Sequence, residues 1–269
     1  MTDKYLVFGN PIAHSMSPDL HTFFADSTNQ DLVYDRELVE DGCFNLQADR
    51  FFDNGGRGCN ITVPCKLDAY NYADTLSEYA KAAGAVNTLK KMEDGTIYGD
   101  NTDGRGLVYD LKRLGCVLKG AKVLIIGAGG ATQGILKPIL EEEPESITIA
   151  NRTFEKAQKL SLLYKDRVDA CALADLEAKY DVIINATSAS LKDELPGVSD
   201  EVLKAASFAY DLMYRKEGQT VFTKKALDLG VAKAHDGFGM LIGQAILSFE
   251  LWRGVKPDFN DAIRKFRPC

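Results

Sequence analysis

The chain has 269 residues, 45% of them hydrophobic and 26% charged, with a formal net charge of −7. That length suits one large domain or two modest ones, and the acidic balance argues against nucleic acid or an anionic membrane as the main partner. No run approaches the roughly 18 apolar residues of a membrane span, and the opening MTDKYLVFGN lacks the regions of a signal peptide, so the expectation is a cytoplasmic protein. The six cysteines, at 43, 59, 65, 116, 171 and 269, occur singly and without CxxC spacing, which predicts reduced, mostly buried thiols.

Short apolar runs alternate with amphipathic stretches along the chain. YLVFG is followed by a helix-like segment from Pro18, then LVYDREL, a helix, GCNITV and a further helix. This is the βαβ rhythm of a mostly parallel sheet with helices outside. The rhythm restarts after about Asp103. GLVYDLKRLG is helix-like, and AKVLIIGAGG, SITIANRT, YDVIINATS and ASFAYDLMY read as strands separated by helices, one of them from Phe154 to about Tyr164. A long helix-like segment runs from about Gly239 to Gly254. The fold class is therefore α/β, with two α/β domains, the second Rossmann-like, and a ligand cleft expected between them.

In RGCNITVPCK, a strand period of two sends Cys59, Ile61 and Val63 to one apolar face and Asn60 and Thr62 to the other. Pro64 ends the strand and suits a helix start, with Lys66 two residues in. The result is an amide, a hydroxyl and an ammonium gathered at one strand end.

KVLIIGAGGATQG is an apolar run that ends in Gly127, Gly129 and Gly130. Glycines between a buried strand and a helix let the backbone approach a pyrophosphate, whose charge the helix N-terminal N–H groups favour. The match to GxGxxG is partial, because Thr132 stands at the third glycine position. The next strand ends ITIANRTFEK with no acid to hold a ribose 2′-hydroxyl; Asn151, Arg152, Thr153 and Lys156 instead offer donors and positive charge to a 2′-phosphate. The pattern favours NADP over NAD.

Four further polar clusters stand outside that loop. GNPIAHSMSPDLH places Ser15 and Ser17 just before Pro18, an arrangement that suits either a carboxylate or plain capping. AGAVNT puts Asn87 at a strand end, YGDNTDGRG crowds Asp100, Asn101 and Asp103 into a turn before a helix, and DGFGMLIGQ carries Gln244. Singly each suits a turn or cap; together they suit a small polyhydroxylated acid. His14, His21 and His235 lack ligand spacing, so no metal site is expected.

These strings, in this order, resemble the shikimate dehydrogenase family: Ser15-Met16-Ser17-Pro18, Asn60 to Lys66, Gly84 to Thr88, Asp100 to Gly104, Gly127-Ala128-Gly129-Gly130-Ala131, Asn151-Arg152-Thr153, Asn185 to Ser188, and Gly237 to Leu241 with Gln244. The resemblance covers nearly the whole chain. It implies NADP-dependent interconversion of 3-dehydroshikimate and shikimate on the route to aromatic amino acids. It makes Lys66 and Asp103 the catalytic pair, and Ser15, Ser17, Asn60, Thr62, Asn87, Tyr214 and Gln244 the substrate contacts. Gly127 to Ala131, Asn151, Arg152, Thr153, Lys156, Thr187, Met213 and Gly237 would hold the cofactor. Residues 1–102 would form the substrate domain, completed by C-terminal helices within 239–269, and residues 103–238 the NADP domain, in a monomer or homodimer that needs no metal.

Three positions depart from the pattern: NATSAS has Ser190 where the family often has Gly, the stretch after Tyr214 lacks the usual Thr-Pro, and Lys156 stands where Arg is frequent. In the implied chemistry, hydride delivery to a ketone creates an alkoxide, which Lys66 protonates while Asp103 keeps the ammonium aimed. Three rivals remain open at this point. They are a quinate/shikimate dehydrogenase using both NAD and NADP, a methylenetetrahydrofolate dehydrogenase, and a non-catalytic NADP sensor.

Overall fold

The computed structural model describes residues 2–215 and 218–267. Cys269 and two residues of the loop after Tyr214 lie outside them. The chain forms two compact units, Met1–Gly106 with Ile242–Cys269, and Leu107–Leu241.

The first unit begins with β1 (Asp3–Gly9), α1 (Ser17–Thr28), β2 (Leu32–Leu38), α2 (Phe44–Asp53) and β3 (Gly56–Ile61). It continues through α3 (Lys66–Tyr72), β4 (Thr75–Leu76), α4 (Glu78–Ala83), β5 (Thr88–Lys91) and β6 (Ile97–Asp100). Helix α5 (Asp103–Arg113) carries the chain into the second unit, which holds β7 (Lys122–Ile126), α6 (Gly130–Glu141), β8 (Ser146–Asn151), α7 (Phe154–Ser161) and β9 (Val168–Ala172). After β10 (Val182–Asn185), α8 (Asp200–Ala205), β11 (Phe208–Asp211), α9 (Val221–Asp228) and β12 (Lys233–Asp236), helix α10 (Phe238–Arg253) returns the chain to the first unit, which α11 (Phe259–Phe266) closes.

The first sheet runs β2-β1-β3-β5-β6-β4, with β5 antiparallel to both neighbours and the other pairings parallel. Strand β1 is apolar on both faces. Leu6 and Phe8 join Phe44, Phe52, Cys59 and Ile61 in one core, while Tyr5 and Val7 join Tyr34 and Trp252 in another. Each large apolar side chain buried this way contributes about 1.5–3 kcal/mol. Trp252, from α10, donates its indole N–H to the Leu89 carbonyl at 2.9 Å. It can lie there because residue 58 is glycine: an added Cβ would stand 2.4 Å from the indole nitrogen.

The second sheet is wholly parallel, in the order β12-β11-β10-β7-β8-β9. Read from β7, this is the doubly wound arrangement of dinucleotide-binding folds. Val123 to Ile126 are buried to within 1% of full burial, as a central strand covered by helices on both faces requires.

Local departures from the sequence-based reading have simple causes. Helix α7 ends at Ser161, and 162–167 tightens into a 3₁₀ turn, because Leu162 and Leu163 face solvent and offer no apolar stripe to continue the helix. Val63, expected beside Cys59 and Ile61, is 63% exposed, since β3 stops at Ile61 and the following turn leaves the sheet. Of the five described cysteines, Cys59, Cys65 and Cys116 are buried and none is bridged.

Candidate active site

Ser15 and Ser17 occupy the turn into α1, but Ser17 is not its cap. The cap position is Met16; Ser17 opens the helix, and its backbone N–H donates to Ser15 Oγ at 3.3 Å. Ser15 is half-buried and Ser17 buried. Two hydroxyls at the N-terminus of a 12-residue helix provide donors where the helix dipole favours an anion.

At the tip of β3 the two polar residues part company. Asn60 lies, as its register dictates, on the face opposite Cys59 and Ile61. That face is covered by α10, so Asn60 is 5% exposed and forms part of a buried network rather than a pocket wall. Its amide lies 3.0 Å from Ser248 Oγ and 3.2 Å from both Thr88 Oγ1 and the Asn87 carbonyl, while its own oxygen accepts from the Tyr34 hydroxyl at 2.7 Å. Asn60, expected as a substrate contact, has both its amide and its oxygen engaged within the protein, as buried polar groups generally are. Thr62 is half-buried beyond the strand, its hydroxyl engaged by no described residue. Helix α3 begins at Lys66 itself, so Pro64 lies in the turn before it and not within its first turn.

The Lys66 ammonium donates to Asp103 Oδ2 at 2.6 Å, with both side chains partly open to solvent. Asp103 opens α5, and its backbone N–H is capped by Asn101 Oδ1 at 3.1 Å. Asn87 occupies the residue before β5, a strand start rather than a strand end. Because β5 is antiparallel to β3, this start lies beside the tip of β3, where the Asn87 carbonyl accepts from Ile61 N–H at 2.8 Å. Its amide reaches Asp103 Oδ1 and Thr102 Oγ1, each at 2.8 Å, and Gln244 Oε1 more loosely at 3.4 Å; its oxygen accepts from Thr88 Oγ1 and Thr102 N–H. One amide thus fixes the carboxylate that fixes the ammonium.

Asp100 and Asn101 brace this corner instead of facing a ligand. Asp100 is buried, accepts from Ser77 Oγ and pairs with Arg105, and the Asn101 amide donates to the Ala85 carbonyl. Sequence reasoning passed over Tyr34, Thr88, Thr102 and Ser248. Ser248 left one trace, a hydroxyl four residues after Gln244 in a largely apolar helix, hence on the same side one turn later. His21 packs parallel to Tyr34, with ring centroids 4.3 Å apart, and neither of its nitrogens meets a described partner in hydrogen-bond geometry. Burial pushes its pKa down to about 3, overriding the weak support of the nearby Asn60 side chain.

In the second unit, a cavity of about 930 Å³ opens at the strand tips. Gly127 to Ala131, Asn151, Arg152, Thr153, Lys156, Thr187 and Met213 line it, together with Leu173, Lys192, Leu195 and Pro196, which sequence reasoning missed; Gly237 does not. Gly127 has φ +108, and a Cβ there would press within 3.2 Å of the Ala186 carbonyl. Cβ atoms at Gly129 and Gly130 would project into open space, which leaves the backbone bare on the cavity side. Helix α6 starts at this point with no acid in its first turn. Thr132 fills the third glycine position fully buried, its hydroxyl donating to the Gly127 carbonyl at 2.8 Å, so the turn keeps its shape without that glycine. The bare backbone and the helix start fit a pyrophosphate, and exposed Arg152 and Lys156 fit a further phosphate. Asn151 serves the turn, its amide donating to the Thr153 carbonyl at 2.9 Å.

Behind the cavity, Asp211 is fully buried and accepts from Ser190 Oγ at 2.5 Å, Thr220 Oγ1 at 2.7 Å, Met213 N–H at 3.0 Å and the Asn185 amide at 3.2 Å. Burial raises its pKa despite these donors. Gly237 threads past this region: a Cβ there would lie 2.1 Å from the Leu212 carbonyl oxygen. Tyr214 also belongs to the second unit, 5.9 Å from the Phe238 ring and edge-on to it. Among the described residues, no group of three His, Cys, Asp or Glu side chains is arranged to hold a metal ion.

A parallel sheet with a glycine-floored, cation-rimmed cavity, joined to a unit that aims an ammonium with a carboxylate, defines the class of nicotinamide-dependent oxidoreductases. Three family models match the chain: the shikimate dehydrogenase substrate binding domain over residues 7–89, shikimate/quinate 5-dehydrogenase over 111–195, and the shikimate 5′-dehydrogenase C-terminal domain over 237–264. The chain belongs to the shikimate dehydrogenase family. It is 53% identical to the shikimate dehydrogenase (NADP(+)) of Vibrio campbellii, over 98% of this chain and 96% of that one. Among solved structures, an Ael1 enzyme from Pseudomonas putida superposes with a TM-score of 0.94 at 42% identity, covering 98% of each chain. Shikimate 5-dehydrogenase from Thermus thermophilus, solved with NADP(H) and shikimate, gives 0.87 at 31% identity, covering 98% of this chain and 99% of that one.

Proposed function

We propose that the chain reduces 3-dehydroshikimate to shikimate with NADPH, reversibly, as a step of aromatic amino acid biosynthesis. The observation that carries this reading is the Lys66 ammonium held at 2.6 Å by Asp103, whose other oxygen is held by Asn87. In this reading the unit of β1–β6 binds the substrate and the unit of β7–β12 binds the cofactor.

Bound NADPH supplies a hydride to the ketone carbon, which leaves the oxygen with a developing negative charge. Lys66 then delivers a proton from Nζ to that oxygen and stabilises the charge as it forms. Asp103 does not exchange a proton in this step; it orients the ammonium and keeps a compensating charge beside the amine once the proton has left. Asn87 in turn leaves Asp103 one orientation, because its amide occupies the oxygen that Lys66 does not. In the oxidative direction the same amine takes the proton from the substrate hydroxyl. Ser15 and Ser17 bind the substrate carboxylate at the α1 terminus, and the unengaged Thr62 hydroxyl, with Asn87, Gln244 and Tyr214, reads its hydroxyls. Arg152 and Lys156 meet the 2′-phosphate, and Thr187 and Met213 wall the nicotinamide side.

The reading places the protein in the cytoplasm, as a monomer or homodimer; the unbridged, mostly buried thiols support a reducing compartment. Steady-state oxidation of shikimate and of quinate, each with NADP+ and with NAD+, tests it. The expected result is efficient turnover with shikimate and NADP+ only. Equal use of both nicotinamides would mark the dual-cofactor rival, and cofactor binding without turnover would mark a sensor.

A further inference from the structure

Residues of the segment from Thr187 to Gly197 line the dinucleotide cavity along most of its length. At one end, the Thr187 methyl group stands 3.1 Å from where a Gly127 Cβ would be, at the tip of β7. At the other, Gly197 abuts Leu173, just after β9. Strand β8 lies between β7 and β9 in the sheet. Arg152, just past β8, and Lys156, in the first turn of α7, line the same cavity as this segment.

Midway along it, Ala189–Lys192 forms a 3₁₀ turn, and three polar ties hold that turn in place. Ser190 Oγ donates to buried Asp211 at 2.5 Å, the Arg215 guanidinium donates to the Ser190 carbonyl at 2.8 Å, and the same guanidinium pairs with Asp193 at 2.6 Å. Asp193 ends the turn in the left-handed region, at φ 57. A surface turn with no task would not need a buried carboxylate and an arginine to define it. What it presents to the cavity is Lys192, which lines the same space as Arg152 and Lys156 and has no ion pair among the described residues. Glu194 lines that space too, so three cations face one carboxylate there.

We propose that Lys192 is a third phosphate-binding cation of the dinucleotide cavity, carried there by the turn that Asp211 and Arg215 hold. The inference rests on reading the cavity as the cofactor site. Its ligand is a phosphate of the dinucleotide, either the pyrophosphate or the 2′-phosphate. Because the ammonium is exposed, its contribution is partly screened and weakens with salt.

The test is calorimetric titration of the full chain with NADP+ and NAD+, at low and high salt, for wild type, Lys192→Met, Lys192→Arg and Lys159→Met, the last a lysine outside the cavity. Lys192→Met is expected to weaken NADP+ binding about five- to twenty-fold, the size of a partly screened charge contact, with a shallower salt dependence. Lys192→Arg is expected to retain wild-type affinity, and Lys159→Met to change nothing. An equal loss for both nucleotides assigns the pyrophosphate, and a loss confined to NADP+ assigns the 2′-phosphate. Wild-type affinity in Lys192→Met, or the same loss in Lys159→Met, overturns the proposal while the cofactor reading stands. A wild-type protein that fails to bind NADP+ overturns both.

Discussion

Asn87 donates its side-chain amide to Asp103 at 2.8 Å, on the carboxylate oxygen that Lys66 leaves free. Exchanging that amide for a carboxylate tests whether the contact matters to the chemistry. Asn87→Asp sets two carboxylates against each other, so one must take up a proton or turn away, and Lys66 loses its single orientation. The expected outcome is a fall in kcat of about 10²-fold, the size of a lost positioning contact at a reacting centre. Steady-state kinetics check it, with circular dichroism confirming that the fold is kept.

Arg152 stands at the tip of β8 where no acid is present to hold a ribose hydroxyl. Arg152→Met is expected to weaken NADP+ binding by about 10- to 100-fold and to leave NAD+ binding nearly unchanged, because only the 2′-phosphate distinguishes the two. Titration of both nucleotides reads the ratio directly. Equal losses for both would move Arg152 to another part of the cofactor.

His21 makes stability depend on pH with a definite sign. Its folded pKa lies near 3, below the ordinary 6.5, so between these values the unfolded chain binds a proton that the folded chain refuses. Stability therefore rises with pH across that window and is lost on acidification, by about 2 kcal/mol from pH 6.5 to about 5. Asp110 and Asp211 act oppositely: burial raises both pKa values, which favours their neutral forms in the fold as pH falls. Comparison of His21→Leu with wild type cancels those contributions. Urea unfolding at several pH values is expected to show a flatter acid limb in the variant.

Two glycines predict opposite kinds of damage. At Gly237 a Cβ would lie 2.1 Å from the Leu212 carbonyl oxygen, and neither backbone can yield, so Gly237→Ala is expected to destabilise by about 2–4 kcal/mol. At Gly129 a Cβ meets nothing, and the backbone is extended at φ −100, so Gly129→Ala is expected to keep its melting temperature and lose cofactor affinity. Thermal unfolding and nucleotide titration of the two variants separate the effects.

How much of this was visible beforehand depended on whether the interaction was local. The runs VLII of β7 and VII of β10 are apolar throughout because their strands are covered on both faces, and the glycines mark where β7 ends, so the second unit was legible as a dinucleotide-binding sheet. The alternation in GCNITV separated Asn60 from Cys59 and Ile61 correctly. It carried no sign of what covers each face, because Ser248 arrives from 188 residues away. The placing of Asn87 failed for a related reason: nothing local announces that β5 runs antiparallel, which turns a strand start toward the tip of β3. Lys192 escaped notice because it sits on an irregular turn, where no periodicity marks a side chain for a site, and its fastening depends on Asp211 and Arg215 further along the chain.

The central claim is that Lys66 supplies the proton. The most direct measurement is steady-state shikimate oxidation by NADP+ with Lys66→Ala beside wild type, followed through the absorbance of the reduced nicotinamide. A fall in kcat of about 10²–10⁴-fold with KM for shikimate little changed is the predicted result, the usual worth of general acid–base catalysis. Turnover at the wild-type rate in Lys66→Ala would contradict it.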